Sequence, residues 1–526
     1  MEKRRPWSRI VLAFVVALVV GAALGSLVQT QINLYALQEL GVRIPAGVRL
    51  QTTLEDLFLF GPVYLLIFGC GFLVSQLVAM AGTRYVLQRW RVTVCAIAAA
   101  VGLWATFKLV DAVAPAPTLF AATRTPMGML AILVTAAVAG WLFASWPGSR
   151  KSGPGAGTAP LAVVLLTGLA LTPAQAPRAE TADTLRTDTV AEGLEHPWSI
   201  AFLPGGGMLV TERAGRLRMI SADGELLPEP VAGMPEIFVS GQAGLFEVSL
   251  APEFASSGRV YLSYACGTLD ANHTCLARAR LQGMELTEVQ EIFRARPAKR
   301  GAAHYGGRIA WLEDGTLVLS LGDGFDYREE AQKLTSHIGT LVRLRQDGAV
   351  PADNPFVNQP DALPEIYSYG HRNVQGMVYD EDTHRLIVHE HGPRGGDEIN
   401  IVRPGQNYGW PIATHGLNYT WAHVSPYTRY PGTLPPLLQW TPSIAPSGMT
   451  LYRGELFPHW QGDLLVGALA ARQVHRVTLD GGEAREAEVM LGELNERIRD
   501  VRTGPDGAVY LLTDSAEGRV LRLTPP

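Results

Sequence analysis

Apolar residues follow two different rhythms along the chain. Up to about residue 176 they come in long unbroken runs, near 10–29, 57–80, 92–113, 127–146 and 159–171. A helix needs ~20 mostly apolar residues to cross a bilayer, and the first four runs meet that length. The fifth is shorter and ends in Thr172-Pro173-Ala174-Gln175-Ala176, a small-residue pattern like the end of a signal peptide. Pro177 follows at once and disfavours cleavage, so we expect a fifth helix, tilted or partly interfacial. From His196 onward, apolar and polar residues alternate in short stretches broken by Gly, Asp and Pro turns. One module recurs: an apolar strand, a turn such as PGGG, EDG or PDG, then a second strand ending in small or polar residues. It starts near Trp198, Phe246, Gly307, Gly376, Gly448 and Ile498, six copies roughly 50–70 residues apart. This predicts an all-β six-bladed β-propeller, preceded by an α-helical transmembrane region of about five helices. A pair of β-sandwiches is the alternative. The expected division is 1–176 membrane region, 177–189 polar tether and 190–526 propeller.

Charge sharpens this division. Only 18% of residues are charged, against ~25% in soluble proteins, as expected if part of the chain lies in lipid. The net charge of −5 leaves no basic footprint for nucleic acid. All 12 histidines lie at or after His196, and residues 1–176 contain only the acids Glu2, Glu39, Glu55, Asp56 and Asp111. Lys3, Arg4, Arg5 and Arg9 precede the first run. Arg84, Arg89 and Arg91 follow the second, and Arg150 and Lys151 follow the fourth. The loops between carry less, Arg43 and Arg49, then Lys108 and Arg124. Positive loops stay inside, so the N-terminus is expected inside. Five spans then put the propeller on the periplasmic side of a cell membrane, whereas four would leave it inside. Cys266 and Cys275 flank what reads as a hairpin, where a disulfide would suit an oxidising compartment; two unpaired thiols are the other reading.

Loops at one end of a propeller channel converge, so chemistry should sit at matching positions of several blades. His304 (AAHYGGRIAW) precedes an inner strand and Asp323 (SLGDGFD) ends the next one. A carboxylate beside an imidazole orients it as a general base, although a lone histidine is more often structural. One blade on, EIYSYGHRNVQGM places His371, Arg372, Asn373 and Gln375 at the matching position. The rigid fork of Arg372 suits a developing oxyanion; a solvated turn is the plainer reading. In HEHGPRGGDEIN, Gly392 and Pro393 form a turn with bare carbonyls, and Asp397 and Glu398 add hard oxygens suited to Ca²⁺. His371, His389 and His391 match no standard zinc spacing. Arg497 and Arg499 alternate, so they share one face of a strand. They suit a ligand with several carboxylates, or they pair with Glu493 or Asp500.

Six motifs in order resemble the soluble quinoprotein glucose dehydrogenase family, more closely its aldose sugar dehydrogenase branch. They are HPWSIAFLPGGGMLVTER, GQAGLFEVSL, HYGGRIAW with LGD, GHRNVQG, EHGPRGGDEIN with NYGWP, and RIRDVRTGPDG, spanning about Leu194 to Pro526. The resemblance implies a six-bladed propeller that binds pyrroloquinoline quinone (PQQ) with Ca²⁺ and oxidises the anomeric hydroxyl of aldoses to lactones. It implies that His304 is the base, that Asp323 orients it, and that Arg372 offsets charge on the reduced quinone. Gln242, Asn373 and Gln375 would line the site. The carbonyls of Gly392 and Pro393 would hold the cofactor's Ca²⁺. Arg497 and Arg499 would grip the PQQ carboxylates, with Ser443 nearby. Glu398 and the Tyr408 carbonyl match a second, structural Ca²⁺ site of the aldose branch. One departure stands out: where well-known members carry a lysine aimed at PQQ, this chain has Ala470, with Arg472 two residues on. The membrane region is also foreign to the soluble enzymes. Its architecture is similar to that of the unrelated membrane glucose dehydrogenases, which reduce ubiquinone, by analogy only. The expected partners are an aldose, membrane lipid, and an acceptor such as ubiquinone or a soluble carrier, with no nucleic acid.

Two other functions compete. A non-catalytic propeller would bind a ligand or protein and signal through the helices. A Ca²⁺-dependent hydrolase such as a lactonase needs a ring of acids at the blade mouths, which the sequence does not offer. The sugar is not named by the sequence. Loop 418–436 holds Tyr419, Trp421, Tyr427 and Tyr430, suited to stacking on sugar faces and equally to packing.

Overall fold

The computed structural model of the chain describes residues 7–85, 88–113, 120–146 and 185–526. The first part holds helices α1 (Trp7–Glu39), α2 (Ala46–Leu59), α3 (Gly61–Tyr85), α4 (Arg91–Val113) and α5 (Pro126–Ser145). Among the described residues four helices are long and apolar enough to cross a membrane: Ser8–Glu39, Gly61–Thr83, Arg91–Ala112 and Pro126–Ser145. The expected fifth run at 159–171 and the small-residue pattern after it lie outside the described residues. The run expected at 57–80 is divided between the end of α2 and α3. Pro62, which lacks an N–H, suits the start of a new helix there. The α5 helix starts where Thr125 accepts from the Gly128 amide, with Pro126 as its first residue.

The bundle interior is aromatic, with Phe60, Tyr64, Phe68, Phe72, Phe107, Phe120 and Phe143 buried. Small residues let the helices close on these rings: a Cβ built on Gly25 would lie 2.1 Å from the Tyr64 ring. The outer surface is apolar as well, with Leu66, Leu77, Val78, Ile97 and Leu130 exposed. Helices that are apolar on every side belong in lipid or a core. The α1 and α5 helices are antiparallel. Gln29 near the end of α1 accepts from the Ala122 amide just before α5, and Phe14 near the start of α1 meets Phe143 in the last turn of α5, at 6.1 Å between rings.

The second part is a six-bladed propeller. Six antiparallel sheets follow one another, with inner strands Pro197–Phe202, Leu245–Leu250, Gly306–Trp311, Val374–Asp380, Pro446–Leu451 and Ile498–Thr503. Each contains or adjoins one of the six repeat starts read from the sequence. The first blade has three strands and the others four. The outermost strand of the last blade is Arg186–Leu194, which pairs with Gly518–Thr524 and closes the ring between chain start and chain end. Closure removes the exposed edge that an open sheet would leave. The strand begins inside the stretch read as a tether, so the propeller takes in its last residues. Cys266 and Cys275 form a disulfide across two strands of the second blade.

Candidate active site

The channel has two mouths, one at each end of the inner strands. At their starts lies a cavity of about 240 Å³, lined by Trp198, Phe246, Gly306, Asn373, Gln375, Ala445, Arg497 and Arg499 among others. At their far ends a larger cavity, about 560 Å³, includes Glu247, Asp380, Arg453 and Arg502. The charges of the larger one are satisfied by each other, Arg502 on Glu247 at 2.5 Å and Arg453 on Asp380 at 2.7 Å, and no histidine lines it. The smaller cavity is the candidate site, because the predicted residues gather in and beside it.

His304 is buried just before the third inner strand, in a left-handed backbone with φ of 48°. A histidine adopts that conformation at a cost that its surroundings must offset. Its amide donates to Gln242 Oε1 at 2.9 Å, and Asn373 and Gln375 bond the next strand residue, Gly306, through its N–H and C=O. His304 Nδ1 meets Asp323 Oδ1 at 2.6 Å. Asp323 is held in turn: Phe325 N donates to Oδ1 and Trp410 Nε1 to Oδ2, both at 2.8 Å. Among the described residues no hydrogen bond engages His304 Nε2. Burial, aided by the positive charge of Arg372, holds the His304 pKa below the ordinary 6.5 against the opposing pull of Asp323. Burial works to raise the Asp323 carboxyl, but His304, Arg372 and the Phe325 amide outweigh it and hold it low. The pair is therefore a neutral imidazole oriented by a carboxylate.

Arg372 lies next to this pair, its guanidinium 5.3 Å from the Trp410 ring centre. Its Nη1 donates to the carbonyls of His391 and Gly392, at 3.1 and 2.9 Å. The Gly392 carbonyl thus already faces a cation. The Gly392 amide donates to Asp397 Oδ1 at 2.8 Å, and Asp397 also gathers the Ile444 and Ala445 amides and the Ser443 hydroxyl. Ser443 is therefore turned toward Asp397, while its neighbour Ala445 lines the cavity. Pro393 packs against Gly416.

Glu398 faces Glu390 across the fourth blade, both buried. Burial and then the Glu390 charge push the Glu398 carboxyl well above its usual value. Two acids forced together in this way are what a cation would relieve. Tyr408 belongs to the same neighbourhood, its ring stacked on His371 at 4.7 Å. The three histidines near these acids do not converge. His371 sits between Glu390 and Ser368, His391 bonds the Pro446 carbonyl, and buried His389 is pushed down to about 3, mainly by burial and then by Arg308. Among the described residues the one group of metal-type side chains within ligand distance is Cys266, Cys275 and Glu291, and its cysteines are already bonded to each other.

Arg497 and Arg499 share one face as expected, but their acid is neither Glu493 nor Asp500. Both reach Asp514 Oδ2, at 3.1 and 2.7 Å. With Arg213 they put three guanidiniums on the cavity wall against that carboxylate, an excess of positive charge suited to a polyanion. At the position of the family lysine, Ala470 contributes no charge, and Arg472 bonds Asn495 instead.

Four residues escaped the sequence reading. Asp514 was findable, because Glu212, Asp323, Glu390 and Asp514 all fall at or just past the end of their blade's second strand. Trp410 lay within a quoted motif, but no local signal joins it to Asp323, 87 residues away. Arg308, fully buried, donates to the Gln375 carbonyl at 2.7 Å, pairs with Asp500 at 3.0 Å and stacks on Trp198. Lys299 donates to the Ala303 carbonyl at 3.0 Å and lies 3.6 Å over the Tyr305 ring; burial pushes it down to about 7 against Asp323 and Asp326.

Residues 194–522 match the family model described as glucose / sorbosone dehydrogenase. The chain belongs to that family. It is 42% identical over 349 residues to aldose sugar dehydrogenase YliI of Escherichia coli, covering 65% of this chain and 93% of that one. The solved apo-form of the soluble aldose sugar dehydrogenase of Escherichia coli is 41% identical, with TM-score 0.63 over 65% of this chain and all of that one. The PQQ-bound form of aldose sugar dehydrogenase from Streptomyces coelicolor is 30% identical, with TM-score 0.53, covering 65% and 99%. The glucose / sorbosone dehydrogenase match begins at the end of the closing strand, so it takes in the propeller and none of the helices.

Proposed function

We propose that the chain is a membrane-anchored, PQQ-dependent aldose dehydrogenase that converts the anomeric hydroxyl of a sugar to a lactone. The observation that carries this is the buried His304–Asp323 pair beside a cavity walled by three guanidiniums. Arg497, Arg499 and Arg213 would hold the cofactor's carboxylates, with Gln242, Asn373 and Gln375 around it. The Gly392 and Pro393 carbonyls would hold its Ca²⁺, and Glu398 with Glu390 and the Tyr408 carbonyl would hold a second, structural Ca²⁺. PQQ, when bound, supplies a two-electron acceptor for the C1 hydride.

The chain's own residues then do the following. His304 Nε2, without a protein partner among the described residues, takes the proton of the anomeric hydroxyl. Asp323 fixes the imidazole by Nδ1 and offsets the charge that His304 acquires. Trp410 and the Phe325 amide keep Asp323 from turning. Arg372 places a permanent positive charge where negative charge develops on oxygen. The full-length protein in detergent, loaded with PQQ and Ca²⁺, should reduce an artificial dye with at least one aldose from a panel, and should not do so without PQQ. Tight PQQ binding with no aldose oxidised would move the reading to a binding module. No PQQ binding at all would overturn it.

The same proposal includes a topology. The propeller docks at the end of the bundle where α1 ends and α5 begins, and the basic N-terminus marks the other end as inside. The α5 helix finishes beside the start of α1. A fifth span at the apolar run 159–171 of the sequence would put the propeller on the periplasmic side. Reporter fusions after Trp146 and after Leu185 should report opposite sides; the same side for both would reject it. The acceptor that drains the electrons is a membrane quinone such as ubiquinone or a soluble carrier.

A further inference from the structure

The Asp323 carboxylate depends on two segments outside its own strand. One is the turn that follows it, whose Phe325 amide it accepts. The other is the loop after Trp410, whose indole it also accepts. Phe325 and Tyr419 stack at 6.0 Å and join the two. Neither segment is held by the propeller alone.

On the first, Arg124 between α4 and α5 reaches Asp326 at 3.4 Å and Glu329 at 3.9 Å. Arg328 donates to Asn33 of α1. On the second, Asn33 Nδ2 donates to the His423 and Val424 carbonyls, at 3.0 and 2.9 Å. Asp56 of α2 accepts the His423 amide at 2.9 Å and its ring Nδ1 at 2.7 Å, and also the Thr30 hydroxyl at 2.7 Å. The Tyr427 hydroxyl donates to the Arg43 carbonyl, and the Arg43 amide donates to the Tyr430 hydroxyl, both at 2.8 Å. Ile412, two residues after Trp410, is buried with Leu34, Leu37, Val42 and Ile44.

These contacts are built rather than incidental. Asp56 is 1% exposed, and a carboxylate so buried is costly unless it is paired and hydrogen-bonded. Burial works to lower the His423 pKa, yet the hydrogen bond and charge of Asp56 outweigh it and hold the ring above the ordinary histidine value. Asp56 is also one of only five acids in the first 176 residues, and it is committed to the propeller.

We propose that the helical region is part of the active-site support, with Asp56, Asn33 and Arg124 as positioning residues that fix the two segments bracketing Asp323. The consequence for catalysis rests on the reading of His304 as base; the docking itself does not. The anchor and the catalytic pair then form one mechanical unit, and loosening the helices should disturb proton removal while leaving Arg497 and Arg499 in place. Arg497 and Arg499, on the sixth blade, are held by Asp514, away from these contacts.

The test uses the full chain in nanodiscs. Asp56→Ala and Arg124→Ala each remove a charged hydrogen bond or ion pair, so amide hydrogen exchange within 325–333 and 412–430 should speed up about tenfold. Exchange in the sixth blade should stay as in the parent. In PQQ-loaded protein the loss should fall on kcat, about tenfold, with KM within about twofold. Asp56→Asn, which keeps an acceptor for His423, should recover part of it. His423→Gln should mimic Asp56→Ala, and the double variant should be no worse than either alone. Unchanged exchange in both segments would overturn the docking. Faster exchange with kcat unchanged would overturn the positioning role. A parent protein that binds no PQQ would count against the functional reading, while the exchange data would still decide the docking.

Discussion

Two histidine–carboxylate pairs stand in neighbouring blades, built to one plan and left in opposite states. His304 meets Asp323 at 2.6 Å and His371 meets Glu390 at 2.9 Å, each pair 19 residues apart in sequence. In both, the histidine precedes an inner strand and the acid falls at or just past the end of the next strand. His371 is sealed: its second nitrogen bonds Ser368 at 2.9 Å, Tyr408 stacks on its ring, and it is fully buried. His304 keeps Nε2 without a protein hydrogen bond among the described residues, beside the cavity. The plan is therefore a way of bracing the loop that leads into a blade. Only the pair whose second nitrogen is left open could act as a base under the proposed function. Position in a repeat is thus a weak guide to function, and the state of the far nitrogen is a strong one.

The contrast breaks most visibly under substitution. His304→Ala should lower kcat by roughly 10²–10⁴-fold, the span typical of a lost general base, with PQQ Kd unchanged in a binding titration. Equal losses in His304→Ala and His371→Ala would erase the distinction. Next in size, Arg499→Ala removes a charged donor from the cavity wall. PQQ Kd should rise roughly ten- to a hundredfold, at about 1.5–3 kcal/mol for such a bond and 1.4 kcal/mol per tenfold. His371→Ala should instead cost about 1–3 kcal/mol of stability by leaving one oxygen of the buried Glu390 without its partner, read as a lower midpoint in denaturant.

The smallest effect is on pH. If His304 is the base, its neutral form is the working one, and burial holds its pKa below the ordinary 6.5. The acid limb of kcat/KM should therefore fall below pH 6.5. Asp323 pulls that pKa upward, so Asp323→Asn should move the limb lower still while reducing the rate. A limb above 6.5 would mean that another group is being titrated.

The propeller was legible because its repeat is a local pattern: all six inner strands lie where the alternation and turns put them. The helices were legible from apolar length, except that Pro62 divides one run and α2 is amphipathic. His304, Asp323, Arg497 and Arg499 were legible because strand geometry brings each pair together within one blade. What escaped depends on contacts between distant segments. Trp410 reaches Asp323 from the next blade's loop, Arg308 joins Gln375 to Asp500 across the channel, and Asp56 meets His423 across 367 residues. No spacing rule encodes such pairs. The apolar runs announced an anchor, but nothing in the sequence around Asp56, just before the run at 57–80, signals that it meets His423.

The most direct test is single-turnover reduction of bound PQQ by an aldose, followed by absorbance at saturating PQQ and Ca²⁺ in the parent, His304→Ala and His371→Ala. Rapid reduction is expected in the parent and in His371→Ala, and reduction slowed by roughly 10²-fold or more in His304→Ala. Parent-like reduction in His304→Ala would contradict the claim that its open nitrogen is the base.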